Sequence, residues 1–110
     1  MVSAREAIEG ADLDSFGELL AEDVVWIGLF PGELCRNRTE VLTLLGRARD
    51  NGRRIAPEVV LERDDLLVVD PHLEDSGRHQ VFVFDEGLIK EIRAYPGRAA
   101  AVAAVEERPW

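Results

Sequence analysis

The last third of the chain places the tightest limit on its fold. Residues 79–84 and 88–95 predict two strands, and Gly87 between them supplies the positive φ that a tight turn needs. After a Pro-Gly pair, an alanine-rich segment from residue 98 to about residue 105 predicts a helix. A hairpin that leads directly into a helix commits this part of the chain to an α+β architecture.

The earlier residues predict further helices and strands. Asn37, three residues before Glu40, resembles a capping box, and the helix that follows is expected to bury Val41, Leu44, Leu45 and Ala48. In chain order the other predicted elements are two short helices, a strand and a pair of strands, over residues 4–11, 12–20, 24–30, 58–63 and 66–70. We expect an antiparallel, strongly curved sheet with the first three helices packed across its hollow side.

Size and composition narrow the class of protein. A chain of 110 residues predicts one domain, residues 1–110, with one core. The net charge of −9 disfavours nucleic acid and anionic lipid as partners. We expect no membrane span, since no run of 18 apolar residues occurs. The single cysteine, Cys35, cannot form an internal disulfide, and we expect a cytoplasmic protein in which this thiol is reduced and buried.

Three segments together resemble the NTF2-like superfamily, and within it the SnoaL-like branch. They are LLAEDVVWIGL, CRNRTEVLTLL and FDEGLIKEIRAYPGRAAA, and they cover much of the chain in the right order. The resemblance implies a cone-shaped α+β barrel, in which a curved, mostly antiparallel sheet wraps around the N-terminal helices and leaves a pocket. It also implies frequent homodimerisation through the outer face of the sheet.

The same resemblance implies several possible activities. Members include steroid isomerases, polyketide cyclases, epoxide hydrolases and dehydratases, so the fold does not decide the function. Isomerase-like members place an aspartate at the end of the first strand, where this chain has Ile27-Gly28-Leu29. Cyclase-like members use an acidic residue near the last strand together with a histidine, for which Glu91 and His79 are available. The charged constellation of the epoxide hydrolases has no clear counterpart.

Acid–base candidates lie on the last two predicted strands. His79 is expected on the same side as Val81, and an imidazole in a pocket titrates near neutral pH. Glu91 and Arg93 are expected to share one face with Ile89 and Tyr95. On that face Glu91, Arg93 and Tyr95 could serve as a base, an anion-binding group and a hydrogen-bond donor. If that face points outward, they form a dimer contact or a solvated ladder instead. The residue pattern leaves both orientations open.

Trp26 is the best candidate for a pocket wall, because a large flat ring on an inner strand suits an apolar cavity; plain core packing is the equally weighted alternative. His72 lies in an acidic loop without the ligand spacing of a metal site, so we expect no metal. No dinucleotide, nucleotide or zinc motif occurs, and no cofactor is expected.

These residues define the site hypothesis. We predict His79, Glu91 and Tyr95 as catalytic residues, and Trp26, Arg93 and Val81 as ligand-binding residues. The predicted function is binding of an apolar or aromatic small molecule of undefined identity, with acid–base isomerase, cyclase or dehydratase chemistry as its catalytic form. The alternatives are a non-catalytic, dimeric protein-interaction domain, and a pocket that the protein fills with its own side chains.

Overall fold

A computed structural model describes residues 4–9, 13–28, 34–50, 57–63, 65–70 and 78–107. Within these residues the chain forms four helices and six strands. In order they are α1 (Ala4–Glu9), α2 (Leu13–Leu19), β1 (Leu20–Ile27), β2 (Leu34–Cys35), α3 (Arg38–Asp50), β3 (Glu58–Arg63), β4 (Leu66–Asp70), β5 (His79–Asp85), β6 (Leu88–Tyr95) and α4 (Arg98–Glu107).

The six strands form one curved sheet in the order β2-β1-β6-β5-β4-β3. Only the β1–β6 pairing is parallel among these neighbours, and the other four are antiparallel. The predicted α+β class and the mostly antiparallel, curved sheet are therefore confirmed. The sheet is not closed into a full barrel, since β2 and β3 are its two edges.

The two faces of the sheet carry separate apolar clusters. We call the side that packs against α1, α2 and α3 the inner face, and the side that packs against α4 the outer face. Strand residues of the inner cluster are Leu20, Val24, Trp26, Cys35, Val59, Leu67, Val69, Phe82, Ile89 and Ile92. Strand residues at the centre of the outer cluster are Leu66, Val68 and Val81, which pack against Ala101 and Val105 of α4. The first three helices cover one side of the sheet, as predicted.

Helix α3 begins with the predicted capping box. The Asn37 side-chain oxygen accepts the backbone N–H of Glu40 at 2.9 Å, and the Glu40 carboxylate accepts the N–H of Arg36 at 3.3 Å. The first contact satisfies a backbone donor that the first helical turn leaves without a partner, and the second ties Glu40 to the residue before the cap. They fix where α3 starts, and so which of its side chains reach the sheet.

The inner side of α3 differs from the one we predicted. Val41 is fully buried and Leu45 is half-buried, but Leu44 is 46% exposed. Leu42 packs against the inner cluster instead. The sequence spacing did not show whether Leu42 or Leu44 faces the sheet, because each lies within one helical turn of Val41 and Leu45. The side chain of Ala48 lies outside the described set.

Two strands differ from the sequence-based expectation. β1 begins at Leu20, directly after α2 ends at Leu19, and not at Val24. β2 was missed, since two residues are too few for any periodic pattern. The bounds of β3, β4 and β6 are as predicted, and β5 ends one residue later.

The hairpin turn has the backbone conformation that its glycine predicted. Gly87 has φ +83° and the preceding Glu86 has φ +53°. Positive φ at both central residues matches the right-handed twist of the flanking strands. The turn thereby fixes the pairing of β5 with β6, on which most of the predicted site residues lie.

Several other predictions concern residues outside the described ranges. They are the end of the first helix at residue 11, the end of the first strand at residue 30 and the loop with His72. Of the helices that are described, none has the length and apolar character needed to cross a membrane.

Candidate functional site

An apolar row crosses the inner face at the level of Trp26. Trp26 lies opposite Cys35 on one side and Ile92 on the other, and Ile92 is paired with Phe82. The Phe16 ring, on α2, tilts over the Phe82 ring with their centroids 6.0 Å apart. Trp26 is 9% exposed. This row therefore supplies a buried aromatic wall between the sheet and the helices.

The next row of the inner face contains a buried amide. Gln80 is 4% exposed, and it lies between Ala94 on β6 and Val69 on β4. Val69 is paired in turn with Val59, whose backbone N–H donates to a carboxylate oxygen of Glu9 at 3.1 Å. That contact holds α1 against β3 beside this row. An amide offers both a donor and an acceptor, so Gln80 brings hydrogen-bonding capacity to an otherwise apolar surface.

Sequence reasoning missed Gln80, although one signal for it was present. Gln80 and Phe82 are two residues apart on a strand, so their side chains share a face. The neighbouring residues on both faces of β5 are apolar, so no alternation of polar and apolar residues marked the inner face. Once Phe82 is known to lie on the inner face, Gln80 must lie there as well.

Cys35 is a thiol within the inner cluster. Burial raises its pKa above the ordinary value, and the negative charge of Glu40 raises it further. The thiol is thus protonated at neutral pH, and nucleophilic chemistry is disfavoured because the thiolate is the reactive form. The free, buried thiol expected from the sequence is confirmed.

The predicted acid–base residues lie together, but on the outer face. On β5, His79, Val81 and Val83 are paired with Tyr95, Arg93 and Glu91 of β6. Val81 and Tyr95 belong to the cluster that packs against α4. Ile89, which was predicted on the same face as Glu91, instead faces inward with Ile92, because the β5–β6 register shifts between Val83 and Phe84. The orientation that the sequence left open is therefore the outward one, and the sheet separates this set from Trp26.

Charged groups connect the outer residues in pairs. The Nε of Arg93 lies 2.7 Å from Oε1 of Glu91, and Nε2 of His79 lies 3.7 Å from Oδ2 of Asp70 on β4. Burial raises the pKa of Tyr95, while the charge of Arg93 and a hydrogen bond to it act in the opposite direction. The phenol is therefore neutral at physiological pH, and its oxygen accepts the hydrogen bond that Arg93 donates. Asp70 was not among the predicted catalytic residues, because its strand pairing with β5 was unknown.

Known proteins resemble this chain in structure and not in sequence. No family model matches it, and no curated protein matches it. An NTF2-like protein of unknown function from Burkholderia xenovorans superposes with a TM-score of 0.62 at 17% identity, over 84% of this chain and 76% of that one. A candidate SnoaL-like polyketide cyclase from Mesorhizobium loti gives a TM-score of 0.61 at 12% identity, over 82% and 89%.

A third similar structure carries a small molecule. It is a hypothetical protein from Catenulispora acidiphila with a ketosteroid isomerase-like fold, in complex with trimethylamine, with a TM-score of 0.59, 12% identity and 92% and 87% coverage. The chain has an NTF2-like fold. At these identities the similarity concerns the fold alone, and the predicted resemblance to NTF2-like and SnoaL-like structures is confirmed at that level.

The outer face of this NTF2-like fold is only partly covered. Helix α4 packs over β4, β5 and β6. Beyond β6, Val25 and Ile27 of β1 lie opposite Glu91 and Arg93, and Ile27 is paired with Leu34 of β2. Val25 and Ile27 are half-buried, and Leu34 is 44% exposed. We call Val25, Ile27 and Leu34 the outer strip.

The described part of this NTF2-like fold contains no group of three or more His, Cys, Asp or Glu side chains arranged to hold a metal ion. On the inner face, the functional groups of described residues include an indole, an amide and a protonated thiol.

Proposed function

We propose that the protein binds an apolar or aromatic small molecule on the inner side of the sheet, with Trp26 as a wall and Gln80 as the polar contact. The observation that carries this proposal is the Gln80 amide, which is 4% exposed within an apolar surface. Ligand sites combine such surfaces with a few well-placed polar groups that orient the ligand.

The aromatic content of the inner face favours particular ligand chemistry. Trp26, Phe16 and Phe82 belong to one cluster, and rings of this kind stack on other aromatic molecules. An indole also attracts organic cations, and the net charge of −9 raises their local concentration. The trimethylamine complex of the Catenulispora structure supports the inclusion of small amines among the probes.

Acid–base catalysis is not part of the inner-face proposal. His79, Glu91 and Tyr95 share the outer face, so a reaction that used them would proceed on the opposite side of the sheet from Trp26. We propose ligand binding as the function of the inner face. Isomerase, cyclase or dehydratase activity is the competing hypothesis, and it requires these outer residues.

Fluorescence titration tests the inner-face proposal. In a Trp110→Phe background Trp26 is the sole indole, and indole derivatives, naphthols and trimethylamine serve as the probe panel. We expect at least one probe to shift or quench the Trp26 emission and to raise the melting temperature. Gln80→Met should weaken that binding about tenfold, the value of one hydrogen bond of about 1.4 kcal/mol.

Tyr95→Phe is the matched control, because it also removes one hydrogen-bonding group, but from the outer face. We expect unchanged probe affinity in this variant. If Tyr95→Phe weakens binding and Gln80→Met does not, the site lies on the outer face and the inner-face proposal is wrong. If no probe in the panel binds, the inner space is filled by the protein's own side chains.

The outer strip favours a second candidate function, self-association. The exposed Leu34 lies beside Ile27, and Val25 and Ile27 in turn lie beside the Glu91–Arg93 ion pair. A two-fold related copy would place Arg93 of one chain near Glu91 of the other, so this surface is complementary to itself. We propose that homodimerisation uses this strip.

Sedimentation velocity tests this candidate with a matched pair of leucines. Leu34 and Leu44 are 44% and 46% exposed, on β2 and α3 respectively. We expect the wild-type protein to sediment as a dimer at micromolar concentration, Leu34→Asp as a monomer, and Leu44→Asp as a dimer. A monomeric wild-type protein, or a dimer that survives Leu34→Asp, contradicts the assignment.

A further inference from the structure

We propose that α4 is a detachable cover of the outer face, which leaves the sheet as a unit while the inner core stays folded. The proposal rests on three features of the described residues: the separation of the two apolar clusters, the composition of the ends of α4, and the small side chains that attach it. It does not depend on a ligand of the inner face.

The two clusters are divided by the sheet itself. The inner cluster contains residues of α1, α2 and α3, and none from α4. The outer cluster joins α4 to the sheet through Ala101 and Val105, which pack with Leu66, Val68 and Val81. Removing α4 therefore exposes the outer cluster and leaves the contacts of the inner cluster in place. Local opening of this kind follows cluster boundaries, because its cost is limited to the contacts that break.

The attachment of α4 depends on few large side chains. The buried residues of this ten-residue helix are Ala101, Ala104 and Val105. Alanine contributes little apolar area, so Val105 supplies much of the buried surface. A helix of this length is marginal by itself, and its stability depends on packing. Because this packing is weak, α4 forms its helix and docks on the outer face of the sheet in a single, reversible step.

The ends of α4 carry charges of the unfavourable sign. Arg98 stands at its positive N-terminal end, while Glu106 and Glu107 stand at its negative C-terminal end. Each such charge destabilises a helix, because it repels the partial charge of the backbone groups there. The Gly97 carbonyl accepts the N–H of Ala101 at 3.1 Å, which places a residue without a side chain at the cap position.

Helix α3 has stabilising features that α4 lacks. It has thirteen residues, a capping box formed by Asn37 and Glu40, and an acidic residue in its first turn. Its Val41 is fully buried in the inner cluster. The contrast shows that the chain contains the features that secure a helix, and that α4 lacks them. Opening of α4 would expose Leu66, Val68 and Val81, and the Glu91–Arg93 pair on β6 lies between this patch and the outer strip.

Native-state hydrogen exchange tests the proposal in the full chain. We expect amides of α4 to exchange through a local opening that is insensitive to low concentrations of urea, while amides of β5, β6 and α3 exchange only with larger openings. Protection of α4 should rise with salt, which screens its terminal charges. If α4 amides are as protected as those of β5 and respond to urea in the same way, the proposal is wrong.

Charge variants sharpen the test. Gly97→Asp adds a capping side chain at a site where a Cβ meets nothing within 4 Å, and Glu107→Lys reverses the charge at the other end. Each is expected to raise the protection of α4 amides roughly two- to fivefold. Ala103→Lys is the matched control: it adds a positive charge at an exposed position in the middle of the helix, where the dipole effect is small. Equal effects of Glu107→Lys and Ala103→Lys would contradict the mechanism.

A detaching variant tests the independence of the inner core. Ala101→Asp places a carboxylate at a fully buried position of α4, and Cys35 in the inner cluster reports on the core through its reactivity with a thiol reagent. We expect α4 protection to be lost while the labelling rate of Cys35 changes less than twofold. Labelling that accelerates tenfold or more, or a variant that does not fold, would show that α4 and the core form one cooperative unit. The charge variants test the same independence without disrupting the fold.

Discussion

The two faces of the sheet are built from the same strands and are stabilised differently. Val81 and Phe82 are neighbours in sequence, yet Phe82 lies against three helices and Val81 lies under one. Among the described residues, the inner side holds Phe16, Trp26, Phe82 and the Gln80 amide, whereas the outer face holds the Asp70–His79 and Glu91–Arg93 pairs and the Tyr95 phenol. Helices thus cover the apolar side thoroughly, and the polar side is left partly accessible along β6 and β1. The comparison can be tested one side chain at a time.

The largest expected difference comes from truncating those two neighbours. Phe82→Ala should lower the free energy of unfolding by about 3–5 kcal/mol, because it leaves a cavity against Phe16. Val81→Ala removes two methyl groups and should cost roughly 1–2 kcal/mol. Urea unfolding followed by circular dichroism measures both. Phe82→Ala should also accelerate labelling of Cys35, whereas Val81→Ala should mainly release α4; equal effects on Cys35 would mean that the faces are not separate.

The contact between α2 and α3 should respond to added volume. A Cβ at Gly17 would lie 3.3 Å from a methyl carbon of Leu42. Gly17→Val should therefore destabilise the protein by about 1–3 kcal/mol through overcrowding. Combining it with Leu42→Ala should recover part of that loss, which a double-mutant cycle measures. If the effects of Gly17→Val and Leu42→Ala simply add, the overcrowding does not come from the contact between these two residues.

A stabilising substitution is available on the helix that covers the inner face. Gly46 lies inside α3, and a Cβ there meets nothing within 4 Å. Gly46→Ala should raise the free energy of unfolding by about 0.5–1 kcal/mol, because glycine loses more backbone entropy in a helix. Exchange of α4 by local opening should be unaffected, since α3 contributes only to the inner cluster. A parallel rise in α4 protection would contradict the independence of the two faces.

The smallest effect is expected at alkaline pH, where one group on each face titrates. The ordinary pKa values of Cys35 and Tyr95 are 9.0 and 10.0, and both pKa values are raised by burial. A raised pKa means that the fold favours the protonated form. This stabilisation is complete below the ordinary value and is lost as the pH rises through the raised one.

Matched variants separate the two contributions. Cys35→Ala should remove the loss of stability that begins near pH 9. Tyr95→Phe should remove the loss of stability that begins near pH 10. Melting temperatures between pH 8 and about pH 11 provide the measurement. A wild-type profile that neither variant changes would show that the loss arises from other groups.

Much of the fold followed from local patterns. The β5–β6 hairpin was predictable because Gly87 marks the turn, and α3 because Asn37 and Glu40 mark its start. β2 was not predictable, since Leu34 and Cys35 become a strand only through pairing with β1. These elements show that strong local signals give the element order, while short pairings depend on the rest of the molecule.

The site was harder to predict than the fold. On β5, Val81, Phe82, Val83 and Phe84 are all apolar, so alternation gave no indication of which side faced the helices. The sequence correctly grouped Glu91, Arg93 and Tyr95 on one face of β6 but wrongly added Ile89, and it could not place that face relative to Trp26. The neighbours of Asp70 and Gln80 depend on the pairing of β4 with β5, which no local pattern predicts. Position across the sheet is a property of several strands, and no single strand encodes it.

The parallel pairing of β1 with β6 also has a consequence for how the molecule is made. Trp26 has its partner at Ile92, so the interior of the sheet joins two segments that are synthesised far apart in time. Contacts of such large sequence separation slow folding. A nascent chain that has reached residue 85 carries β1 with one of its edges still open, and that edge is filled only when β6 emerges. The order of the strands thus delays assembly of the sheet until nearly the whole of residues 1–95 has left the ribosome.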